Sequence, residues 1–143
     1  MPRRTVSPRG SKRHPVSPAD ARAYLSKASA WLQAAEESLQ AGRWDVAAGA
    51  AVTAGINACD SLSGALLGQR AGGEHNEAVD LLNGAGDEGR QAARQLSQLL
   101  RYKAPAQYDP APMPQGDATK AVELARRLVD RAAQVDARRR PSR

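Results

Sequence analysis

Between Gln98 and Asp109 the chain reads Gln-Leu-Leu-Arg-Tyr-Lys-Ala-Pro-Ala-Gln-Tyr-Asp, and residue types able to do chemistry gather there. Arg101 can grip a phosphate with two parallel donors, and Lys103 adds a compact positive charge. Tyr102 and Tyr108 contribute phenolic hydroxyls that can hydrogen-bond the same anion. Ordinary pKa values near 10 make lysine and tyrosine poor bases at neutral pH. The stretch therefore suits holding an anion better than moving a proton. Leu96, Leu99 and Leu100 anchor the helix that carries it, and Ala104-Pro105 is expected to end that helix, because the residue before proline is pushed out of the α region.

Other polar positions could support such a site. His75, beside Glu74, reads as a general base, a ligand or a helix-start surface group. It stands about 26 residues before Arg101, roughly 39 Å of continuous helix less whatever a glycine break takes back, so the two are expected to lie apart within one chain. Asn57 and Asp60 are the polar residues of an otherwise apolar helix, and Asp60 needs an arginine partner or a water-lined groove, since an isolated buried carboxylate is costly. Counting along the helices places Arg101 near Asp45 rather than Asp60. Cys59, the single cysteine, excludes an intrachain disulfide and a thiolate cluster and reads as a small packing residue. No second histidine falls inside the expected domain, so no metal site and no cofactor is predicted. Glycine-rich phosphate loops, nucleophile elbows and paired-histidine motifs are absent from the sequence.

The elements that must position these groups read as helices. Ser17-Pro18-Ala19-Asp20 combines an N-cap, a proline at the first helical position and an acid in the first turn. Leu25, Ala28, Leu32, Ala35 and Leu39 then recur at three- and four-residue steps to about Gln40, with Gly42 closing the helix. A second helix from Trp44 or Asp45 to Leu67 is apolar almost all round and should be the most enclosed. Its Gly49, Gly55 and Gly64 mark close backbone contacts or a self-association face. A third apolar pattern begins near Ala78 and is interrupted at Asn83-Gly84-Ala85-Gly86, which predicts a kink or break. Four prolines between Ala104 and Gly116 predict irregular structure, and Gly116-Asp117 opens a last helix with a stripe at Ala121, Leu124, Ala125, Leu128, Val129, Ala132 and Val135. Arg126, Arg127 and Arg131 lie off that stripe, as a solvated face or a phosphate-contacting strip. Nothing alternates with period two, so no β-sheet is expected. The predicted fold is all-α, an up-and-down antiparallel four-helix bundle with a kinked third helix.

The 143 residues suffice for one domain, and their net charge of +6 is unevenly spread. Residues 1–16 and 138–143 are basic and lack large apolar groups, whereas the segment between them carries about −3. They read as a disordered basic N-terminal tail and a basic C-terminal tail flanking a domain over 17–137, either aiding solubility or attracting phosphate backbones. No apolar run is long enough to span a bilayer and the start lacks an apolar signal core, which leads to the expectation of a cytoplasmic protein. Phenylalanine is absent and aromatics make up 3% of the chain, which argues against a base-stacking platform.

From Ala19 to Gln134 the chain resembles the HEPN domains (higher eukaryotes and prokaryotes nucleotide-binding). The resemblance rests on Ala58-Cys59-Asp60-Ser61-Leu62, on the loop into Glu74-His75-Asn76-Glu77-Ala78-Val79, and on Arg101 through Tyr108-Asp109 before a final amphipathic helix. It implies a four-helix bundle, often dimeric, from a family that includes metal-independent ribonucleases of toxin and antiviral systems and companions of small nucleotidyltransferases. Active members carry an arginine, a short spacer, a histidine and, in one group, a tyrosine two residues on. Arg101 matches the arginine and Tyr108 the tyrosine, but Ala106 stands where the histidine would be, and alanine cannot carry a proton. The resemblance thus implies a binding protein without ribonuclease chemistry, which pairs with a second copy of itself or a nucleotidyltransferase-like partner and takes a nucleotide or RNA phosphate at Arg101. The rival readings are a ribonuclease using Arg101, Tyr108 and a nonstandard proton carrier, and a structural adaptor.

Overall fold

A computed structural model describes residues 12–139, which are mostly helical. In chain order the elements are β1 (Arg13–Pro15), α1 (Pro18–Gln40), α2 (Trp44–Leu67), β2 (Gln69–Ala71), α3 (His75–Asn83), α4 (Gly86–Leu100), α5 (Lys103–Tyr108) and α6 (Gln115–Arg139). The start of α1 follows its sequence signals: the Ser17 hydroxyl accepts a hydrogen bond from the Asp20 amide at 3.1 Å, and Pro18 occupies the first turn. Ala21, Ala28, Leu32 and Ala35 form its buried face. A tight link, with Gly42 in the left-handed region at φ +76°, turns the chain into α2.

Most of the core is built on α2, which packs against α1, α3, α4, α5, α6 and β2. Ala47, Ala48, Ala51, Ala54 and Ala58 are fully buried on it, and these short side chains let α1 and α6 approach closely. Larger residues fill the space between helices. Leu62, Leu96, Leu99 and Leu128 are fully buried, each a contribution of about 1.5–3 kcal/mol relative to exposure. Gly55 is where α4 comes nearest, since a Cβ there would lie 2.3 Å from Leu99 Cδ2. Gly49 has open space instead, so the close-contact reading fails for that glycine. The stripe expected on α6 is buried throughout, from Ala121 to Val135.

Several expectations are corrected. A short sheet exists: β1 pairs antiparallel with β2 in the register Arg13 to Ala71, His14 to Arg70 and Pro15 to Gln69. Three-residue strands are too short to show alternation, which is why periodicity missed them. Residues 12–16 are therefore part of the ordered unit rather than a disordered tail, and Val16 is buried at 6% exposure. Residues 1–11 and 140–143 lie outside the described residues, while Arg138 and Arg139 extend α6. The kinked third helix is two helices: the chain breaks at Gly84 and Ala85, and Gly86 at φ +75° starts α4. The proline-rich stretch holds a further helix, α5, because Pro105 falls in its first turn, where no backbone donor is needed. The described residues are thus mostly helical, as expected, but hold six helices rather than the four anticipated.

Candidate functional site

Arg101 caps the C-terminus of α4, and Tyr102 follows as the residue entering α5. Helix α4 stops short of Pro105 because the backbone already turns here: the amides of Arg101 and Tyr102 donate to Gln98 O and Leu99 O, three residues back. The turn aims Arg101 into two adjoining clefts. One, about 370 Å³, lies between α4 and α6 and is lined by Gln98, Arg101, Tyr102, Lys120, Glu123, Leu124 and Arg127. The other, about 490 Å³, runs under the proline-rich link and adds Pro105, Pro112, Met113 and Pro114, with Asp109 and Asp117. In the first cleft three cations face one carboxylate. The Arg101 side chain makes no hydrogen bond or ion pair among the described residues, which leaves its donors available to an incoming anion.

The expected supporting residues divide. Asp45 does not pair with Arg101. Its Oδ1 accepts from the Met113 amide at 3.1 Å and so holds the link that forms the wall of the second cleft. Tyr108 is 77% exposed at the end of α5 and lines neither cleft, whereas Tyr102 lines both. The Asn57 amide is spent on Thr53 O at 2.9 Å within α2. Asp60 is half-buried, and burial pushes its carboxyl up to about 6, opposed by the nearby Arg70 guanidinium. Arg70 itself lies over the Tyr24 ring, 5.8 Å from its centre. Cys59 is buried beside Asp60, and burial above all drives its thiol well above the usual range, so it is inert.

His75 is not remote from the cationic turn. Because the chain breaks at Gly84, α3 folds back along α4, and a third cleft of about 430 Å³ brings Glu74, His75 and Asn76 together with Leu100 and Lys103. The straight-helix count that separated His75 from this region fails for that reason. Burial, with the Lys103 charge second, lowers the His75 pKa below its ordinary 6.5 and so favours the neutral imidazole. Leu100 and Lys103 face α3 while Arg101 faces α6, so His75 and Arg101 line different clefts on either side of one turn.

Sequence reasoning missed Gln98, Lys120 and Glu123 as cleft residues. Lys120, Glu123 and Arg127 stand at helical steps on the α6 face opposite α4, a signal that becomes usable once that pairing is known. Of the three arginines noted off the apolar stripe, only Arg127 lines this site. Arg126 bonds Glu36 at 2.8 Å, and Arg131 bonds Glu88 at 2.8 Å, a carboxylate that Arg138 also holds at 2.6 Å. Among the described residues no group of three or more His, Cys, Asp or Glu is placed to hold a metal ion, and no helix is long and apolar enough to cross a membrane.

A protein-family model, HEPN domain, matches residues 21–135. The chain belongs to the HEPN domain family. The match spans α1 to α6 and leaves β1 outside it. Within this HEPN domain Ala106, at the position that the resemblance assigns to a histidine, is half-buried on α5 and packs against the core. No curated protein matches the chain.

Proposed function

We propose that this HEPN domain works by binding, with Arg101 as the anchor for a nucleotide or RNA phosphate and without ribonuclease chemistry of its own. The observation that carries this reading is the Arg101 guanidinium, without a partner among the described residues, in a cleft with Lys120, Arg127 and Glu123 and no described imidazole. Cations collected in a concave wall favour a phosphate, and Ala106 supplies nothing that could take up the proton of a 2′-hydroxyl. The second cleft, walled by prolines and Met113, offers apolar surface to the rest of such a ligand. The same reading includes self-association or pairing with a nucleotidyltransferase-like protein in the cytoplasm.

The test incubates the full chain with a mixed RNA pool and with nucleoside monophosphates, and compares it with Arg101→Ala. We expect RNA to stay intact and nucleotide binding to weaken at least about tenfold in the variant, as loss of a charged hydrogen-bond pair requires. RNA cleavage that disappears in Arg101→Ala would overturn the non-catalytic reading.

One observation favours the ribonuclease alternative, namely the placement of His75 in one cleft with Lys103, across the turn from Arg101. In that case both Arg101→Ala and His75→Ala would abolish cleavage.

A further inference from the structure

Arg101 is not alone on its face of α4. Arg94 precedes it by two helical turns, so both side chains leave the helix on one side, ~10.5 Å apart, and Gln98 stands between them. Helix α6 repeats the arrangement: Lys120 and Arg127 are again two turns and ~10.5 Å apart, with Glu123 between them. The two helices run antiparallel, because Glu88 at the start of α4 bonds Arg131 and Arg138 late in α6, whereas Gln98 and Arg101 share a cleft with Lys120 near the start of α6. That sets Arg101 about level with Lys120 and Arg94 about level with Arg127. Four cations thus stand at the corners of an oblong, two on each bank of the α4–α6 groove.

All four are exposed, and none of their side chains makes a hydrogen bond or ion pair among the described residues. The neighbouring cations are already taken up: Arg90 pairs with Asp87, and Arg131 and Arg138 pair with Glu88. Glu123 within the groove and Asp130, exposed further along α6, are the acids beside the four. Like charges set about one Debye length apart repel one another, and a bound polyanion would relieve that repulsion.

We propose that this groove holds a single strand of nucleic acid at successive phosphates, which extends the Arg101 anchor from one phosphate to several and rests on that reading of Arg101. The spacing of charge decides the ligand. Glu123 splits the positive strip of α6, so a ligand with its charges packed together, such as a polyphosphate, would meet the carboxylate. A phosphodiester chain instead sets a neutral sugar between its charges, and Glu123 accepts a hydrogen bond from a sugar hydroxyl there. The groove between two packed helices, whose axes lie ~8–10 Å apart, is narrower than a duplex, so the strand is single. Tyr102 is the one aromatic among the residues lining the cleft, which leaves little to read the bases and makes the binding tolerant of sequence.

The test titrates the full chain with a five-nucleotide oligouridylate and with uridine monophosphate, using inorganic tripolyphosphate and a glutamate pentapeptide as competitors. Arg94, outside the Arg101 cleft, decides it. We expect Arg94→Gln to weaken the oligouridylate about fivefold and to lower the slope of log K against log salt by about 0.7, the loss of one phosphate contact on a single strand, while uridine monophosphate changes less than about twofold. Arg94→Gln/Arg127→Gln should weaken the oligouridylate about 25-fold and lower the slope by about 1.4. Arg101→Ala should weaken both ligands, and Arg22→Gln, an exposed cation on α1, should leave both within about twofold of the parent. Arg94→Gln without effect on the oligouridylate would overturn the groove yet leave Arg101 as the anchor of a single phosphate. Arg101→Ala without effect on either ligand would overturn the anchor itself. Competition by tripolyphosphate or the glutamate peptide as strong as that of unlabelled oligouridylate would overturn the nucleic-acid assignment.

Discussion

The seam where α2 meets α1 and α6 and the stretch from α3 to α5 are built differently. Along the seam, alanines repeat at helical steps, three long helices run unbroken, and the buried polar residues are the small Ser38, Ser61 and Ser63, with Asn57 and Asp60 half-buried on α2. From α3 to α5 the chain changes direction at Gly84, at Arg101 and at the prolines, and no helix exceeds the fifteen residues of α4. Every side chain that lines the Arg101 and His75 clefts comes from that broken stretch, from the loop before it, from the link after it, or from the N-terminal half of α6. The regular half supplies rigidity, and the interrupted half exposes groups at helix ends where backbone turns can aim them.

The contrast can be broken most forcefully at Gly89. A Cβ there would lie 2.2 Å from the Leu82 carbonyl oxygen, a backbone atom that cannot swing away. Gly89→Ala should therefore cost about 2–3 kcal/mol in urea unfolding and push α3 off α4. NMR titration should then show the His75 pKa rising toward 6.5, because its depression depends on burial in the α3–α4 cleft and on Lys103. His75 by itself should lower stability as pH drops through 6.5, since the unfolded chain binds that proton more readily, a trend opposite to that of Asp60. His75→Gln should remove that part of the pH dependence.

A smaller effect is expected at Asp60, the exception within the regular half. Its folded pKa of about 6 lies above the ordinary 3.8, so the carboxylate weakens the fold above pH 6, and the penalty fades as pH falls toward 4. Asp60→Asn should raise stability by about 1–2 kcal/mol at pH 8 and by nothing at pH 3.5. A destabilised Asp60→Asn at pH 8 would show that the Arg70 contact outweighs burial.

The smallest effects belong to the ion pairs. Glu88 holds Arg131 and Arg138, and those hydrogen bonds, Arg138 first, lower its pKa. Glu88→Gln should cost about 1 kcal/mol at pH 7, a loss that vanishes once acid protonates the parent. Glu36→Gln, which removes the exposed partner of Arg126, should stay within about 0.5 kcal/mol. Thermal melts of the two variants side by side would check the ranking.

The same divide separates what the sequence discloses from what it withholds. Helices α1, α2 and α6 are legible because caps, apolar period and polar face agree over more than twenty residues each. The glycine break was legible too, but not its angle, and that angle decides whether His75 is far from Lys103 or beside it. Pro105 reads as a helix end although it opens α5, since the rule for the residue before proline does not show whether a new first turn follows. At the site, Arg101, Tyr102 and Lys103 could be picked by type, while Lys120 and Glu123 could not, because only the packing of α6 on α4 gives them a role. Asp45 was placed near the right turn with the wrong partner: a backbone amide of a proline-rich link leaves no pattern in the sequence.

The pairing of β1 with β2 also sets an order of assembly. The α1–α2 hairpin closes through neighbouring contacts, whereas Arg13 can meet Ala71 only after both helices have been made and docked. The strand that precedes the hairpin is thus among the last segments to settle, and it latches a hairpin that is already complete.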